Sequence, residues 1–153
     1  MIFKSFEIEK INLVNKKYFL FYGENQGYKN QIIEEKFKKN YKENVFFYEE
    51  NEILNNEEVF FNSILSRSFF DNKKLIIINR VTDKIKPIID EIIEKKIEDL
   101  VLILNANALE KKSKIRLLYE KGKEQFCVPF YDDKTETLSA ITNSFFRENK
   151  VPI

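Results

Sequence analysis

The stretch Gly23-Glu24-Asn25-Gln26-Gly27-Tyr28-Lys29-Asn30 is where this chain comes closest to a chemical motif. It follows an apolar run, YFLFY at 18–22, and precedes a polar segment, the outline of a strand, a tight turn and a helix. Turns of this kind cradle nucleotide phosphates when they read Gly, four residues, then Gly-Lys-Ser/Thr. The glycines let backbone N–H groups approach, the lysine reaches the phosphate, and the hydroxyl binds magnesium. Here the spacing from Gly23 brings Tyr28-Lys29-Asn30 to those places, so the paired glycine and the hydroxyl are both missing. Glu24 adds a negative charge where phosphates would lie. The second half of such a site, an acid closing the strand KLIIIN at 74–79, is replaced by Asn79-Arg80. Two independent losses predict a degenerate, structural turn at Gly23 and Gly27. No catalytic residue and no cofactor are expected.

Other candidates carry less chemistry. There is no histidine among the 153 residues, which removes the commonest general base and metal ligand, and no metal is expected. Asp132-Asp133 lacks a partner base or further ligands and reads as a solvated loop. Cys127, the single cysteine, sits in an apolar run and reads as a small buried hydrophobe. Lys111, Lys112, Lys114 and Arg116 could touch a phosphate backbone, with a solvated basic helix face as the alternative. With 26 basic against 25 acidic residues, the net charge of +1 gives no general attraction to nucleic acid. Phe69 and Phe70, ahead of the polar Asp71-Asn72-Lys73-Lys74, admit two readings. They close the core end of a helix, or they stand exposed as a binding anchor.

The elements that must position these residues are legible from periodicity. YFLFY at 18–22, KLIIIN at 74–79 and LVLIL at 100–104 are short apolar runs, the pattern of strands covered on both faces, with KLIIIN expected at the centre of the sheet. NVFFY at 44–48 and QFCVPF at 125–130 are weaker strand candidates. Between them lie helical stripes: Ile33, Phe37 and Tyr41; a helix over 57–66; Ile85, Ile88, Ile89, Ile92 and Ile93 around Pro87; and Ile115, Leu118 and Tyr119 before Gly122. Strand and helix alternate, which predicts an α/β domain with a five-stranded, mostly parallel sheet flanked by helices. That domain is expected over 1–134, with 135–153 as the start of a helical second domain of a longer protein. The N-terminus carries charges through its apolar residues and is neither a signal peptide nor a membrane span, and a lone cysteine fits a reducing cytoplasm.

Three stretches in order, YFLFYGENQGYKNQ, SRSFFDNKKLIIINR and LVLILNANALEKKSKIRLLYEKG, with the tail VPFYDDKTETLSAITNSFFRENKVPI, resemble the N-terminal part of the delta subunit of the bacterial DNA polymerase III clamp loader. The likeness covers nearly the whole chain. It implies an AAA+-like domain, a relative of the phosphate-loop NTPases, without a working ATP site. It also implies a subunit that binds the sliding clamp (beta) and helps open its ring for loading onto primed DNA during replication. In that family a Leu-Phe pair after a serine grips the clamp, and Ser68-Phe69-Phe70 occupies this place, with phenylalanine where leucine is usual. Assembly with the other loader subunits is implied to run through a C-terminal region. The alternative is a nucleotide-binding enzyme of the phosphate-loop type with an unorthodox site.

Overall fold

A computed structural model describes residues 1–131 except 9, 11, 14–15, 42–43, 66–72 and 98. Five strands, β1 (Tyr18–Tyr22), β2 (Val45–Glu49), β3 (Lys74–Asn79), β4 (Leu100–Asn105) and β5 (Gln125–Pro129), form one sheet in the order β2-β3-β4-β1-β5. Every pairing is parallel. The expected α/β class and five strands are therefore present. The centre of the sheet, however, is β4 and not β3: β4 pairs with both β3 and β1, and all six of its residues are buried.

The helices are α1 (Gln26–Ile32), α2 (Glu50–Asn55), α3 (Glu57–Leu65), α4 (Lys86–Lys95) and α5 (Lys114–Lys121). A π turn, Ile33–Phe37, and a 3-10 turn, Lys38–Asn40, prolong α1. Strand residues alternate between two cores. Phe19, Phe21, Ile77 and Ile103 pack with Ile32 and Phe37 of the α1 segment. Leu20, Ile78, Leu102 and Leu104 pack with α2 to α5 through Ile53, Phe60, Ile89 and Ile115. The division follows from the strand order. The chain moves one way across the sheet from β1 to β2 and the other way thereafter, so right-handed crossovers place α1 on one face and the other helices opposite.

The edges differ. Among the described residues β2 is the edge strand, and Phe46 and Phe47 are exposed on it. The outer side of β5 is covered by the N-terminal residues: the Phe3 N–H donates to the Cys127 carbonyl and the Cys127 N–H to the Met1 carbonyl. No helix among the described residues is long and apolar enough to cross a membrane.

Candidate functional site

In open parallel sheets ligands collect beyond the carboxyl ends of the strands, where neighbouring strands send their connections to opposite faces. In this sheet that point lies between β1, followed by α1, and β4, followed by α5 on the other face. The turn singled out in the sequence is thus placed where a ligand would enter.

The turn is built as a closed structural element. Gly23 has φ +113, and a Cβ there would lie 2.0 Å from the Phe130 carbonyl oxygen, so only glycine fits. Gly27 is different: the nearest atom to an added Cβ is 3.9 Å away, so that position tolerates a side chain. A phosphate cradle needs unengaged backbone donors. Here the Gly23 N–H donates to the Asn107 carbonyl at 3.1 Å, the Asn25 N–H to the Phe130 carbonyl at 3.1 Å, and the Gln26 N–H to the Glu24 carbonyl at 2.8 Å. Asn25 caps α1, its Oδ1 accepting the Tyr28 N–H at 3.1 Å.

Lys29 completes the closure. It is wholly buried, and its Nζ donates to the Gly23 carbonyl at 2.9 Å and to the Ala106 carbonyl at 2.7 Å. Those two carbonyls follow β1 and β4, the strands that flank the ligand crevice. The ammonium that would reach a phosphate in a nucleotide-binding turn is spent on holding the two strand ends together. Burying a cation is tolerated because carbonyl acceptors replace its water. At the end of β3, where an acid would hold magnesium, the Asn79 Oδ1 accepts from the Asn105 Nδ2 at 3.0 Å.

The basic cluster separates into two kinds of residue. Lys111, Lys112 and Lys114 are exposed. Arg116 is committed internally: its side chain is 15% exposed, Nε donates to Glu120 at 2.6 Å, NH1 donates to the Leu109 carbonyl at 2.8 Å, and the guanidinium lies 4.8 Å from the centre of the Tyr22 ring. The N-terminus of α5 is capped twice. The Ser113 Oγ accepts the Arg116 N–H, and Asp83 accepts from the Ser113 hydroxyl at 2.6 Å and from the Ile115 N–H at 3.2 Å. Burial pushes the Asp83 carboxyl up, but these hydrogen bonds, with the amide and charge of Lys114, outweigh it and leave the group below its ordinary value. Cys127 is fully buried, and desolvation pushes its thiol up to about 12, so it is an inert core residue.

Three internal contacts had no signal in the sequence: the burial of Lys29, the cap that the exposed Asp83 gives α5, and the buried Glu50. The Glu50 carboxylate accepts from the Thr82 N–H at 2.8 Å and from the Thr82 hydroxyl, tying the start of α2 to the loop after β3. Ser68, Phe69, Phe70 and Asp132-Asp133 lie outside the described residues, as does the segment 135–153. No protein-family model matches the chain, and no curated protein matches it.

Proposed function

We propose that the chain is the AAA+-like N-terminal domain of a delta-type clamp-loader subunit, a non-catalytic part of the DNA polymerase III holoenzyme. In this reading it binds the sliding clamp through Ser68-Phe69-Phe70 and helps open the ring for loading onto primed DNA. It works in the cytoplasm, and the other loader subunits supply the ATP-driven step through contacts of a C-terminal region.

The observation that carries the non-catalytic part is the engagement of Lys29 with the Gly23 and Ala106 carbonyls at the mouth of the crevice. A phosphate entering there would have to displace a buried ammonium from two charge-assisted hydrogen bonds and settle near Glu24. The parallel sheet with its turn at the phosphate-loop position supports an AAA+-like ancestry that has lost its nucleotide. The same geometry weighs against the alternative of a phosphate-loop enzyme with an unorthodox site, since the turn's only lysine faces inward.

The test is capture of the chain by the cognate sliding clamp, run beside calorimetry with ATP. Clamp binding without ATP binding supports the proposal. Absence of clamp binding, or micromolar ATP affinity that Lys29 substitution abolishes, overturns it.

A further inference from the structure

A second feature of the carboxyl edge is used by none of the chemistry above. Beside the β1–β4 crevice, a cleft of about 560 Å³ opens between the α1 segment and the ends of β2, β3 and β4. Its volume is that of a small-molecule site. Its charges are cancelled in place: Lys38 pairs with Glu34, and Arg80 pairs with Glu49 at 3.3 Å. Among the described residues lining the cleft each of the two cations has a carboxylate partner, so an anion entering it also meets two carboxylates. The polar groups that remain are carboxamides, and one is deeply set. Asn105 is 6% exposed, and its Nδ2 is given to the Asn79 Oδ1 at 3.0 Å. Its own Oδ1 has no hydrogen-bond partner among the described residues.

Among the described residues the pair therefore leaves two polar atoms wholly unengaged, the Asn79 Nδ2 as a donor and the Asn105 Oδ1 as an acceptor. Exchanging nitrogen and oxygen in both side chains again leaves one unengaged donor atom and one unengaged acceptor atom. A donor beside an acceptor is the complement of a nucleobase edge, which carboxamides read in the same bidentate way. Phe47 supplies an aromatic surface in the same cleft: its ring is on the wall, 53% exposed, with the Lys38 Nζ 4.6 Å from the ring centre. A planar ring has a stacking partner there. Arg80, at the rim, is held at φ +55, a conformation a non-glycine residue adopts at a cost.

We infer that this cleft binds a neutral nucleobase, recognised by Asn79 and Asn105 and stacked on Phe47, with phosphate kept outside. The base can arrive as a free nucleoside or on a single-stranded nucleic acid. The shared chemistry is the uncharged, hydrogen-bonding ring.

The experiment is titration of the isotope-labelled chain with cytidine, cytidine 5′-monophosphate and a short oligodeoxycytidine, following the side-chain amide signals by NMR. Cytidine is expected to shift the Asn79 and Asn105 signals, and the monophosphate is expected to bind no more tightly. Phe47→Ala and Gln26→Ala, both at exposed positions and so compatible with the native fold, should weaken cytidine binding, roughly fivefold or more for Phe47→Ala. If the oligonucleotide shifts the same signals at lower concentration, the base comes on a strand. If only the nucleoside does, it comes free. Unmoved signals at millimolar cytidine, tighter binding of the monophosphate, or unchanged affinity in both folded variants would overturn the inference.

Discussion

Replacing Lys29 by methionine keeps most of the buried stem and removes the ammonium. Two charge-assisted hydrogen bonds disappear, to the Gly23 and Ala106 carbonyls at 2.9 and 2.7 Å. Bonds of this class contribute about 1.5–3 kcal/mol each, so the gross loss is about 3–6 kcal/mol. Against it stands the relief of no longer desolvating a cation, which is several kcal/mol in a buried site and offsets roughly half of the loss. A net destabilisation of about 2–3 kcal/mol is expected. With a midpoint shift of about 2–4 °C per kcal/mol for a chain of this size, Tm should fall by about 5–10 °C. Urea unfolding followed by far-ultraviolet circular dichroism measures it directly. Lys29→Ala should be worse, because it also empties the space of the stem. Neither variant should gain or lose ATP binding. If Lys29→Met is as stable as the parent, the ammonium does not hold β1 and β4 together, and the account of the closed crevice fails.

Gly23→Ala should destabilise by about 2–4 kcal/mol, because the positive φ and the Phe130 carbonyl both exclude a Cβ, while Gly27→Ala should be neutral or slightly stabilising within α1 by the same urea assay. Asp83→Asn should cost about 1 kcal/mol near neutral pH through the weakened α5 cap. Since the Asp83 carboxyl is held below its ordinary value in the fold, its contribution is present above the unfolded value of about 3.9 and is lost as pH falls through the folded one. Acid titration of stability should therefore be shallower in the variant than in the parent. The Tyr119 hydroxyl is buried without a hydrogen-bond partner among the described residues, so Tyr119→Phe should raise stability by about 1 kcal/mol, and a loss would mean that the hydroxyl is satisfied. For the clamp anchor, the double change Phe69→Ala/Phe70→Ala should lower clamp affinity roughly 30- to 1000-fold while Tm barely moves. Unfolding of that variant, or unimpaired clamp binding, would place both rings in the core.

Much of the architecture is local and could be read directly. YFLFY, KLIIIN and LVLIL are short, nearly unbroken apolar runs, the pattern of covered strands, and the isoleucines of α4 repeat at the helical period. The failed phosphate motif is also local, since it concerns which side chains follow Gly23. Strand order is not local. An apolar run records that a strand is buried and not which neighbours bury it, so β4 at the centre and Phe46 and Phe47 on an edge strand emerged only from the fold. The same holds for Lys29. In the sequence it stands at the lysine place of the failed motif, and nothing local shows that it is buried. Its acceptor at Ala106 lies 77 positions away and comes within 2.7 Å only because β1 and β4 are neighbours. A charge can be buried when distant backbone carbonyls converge on it, and that convergence belongs to the tertiary structure alone.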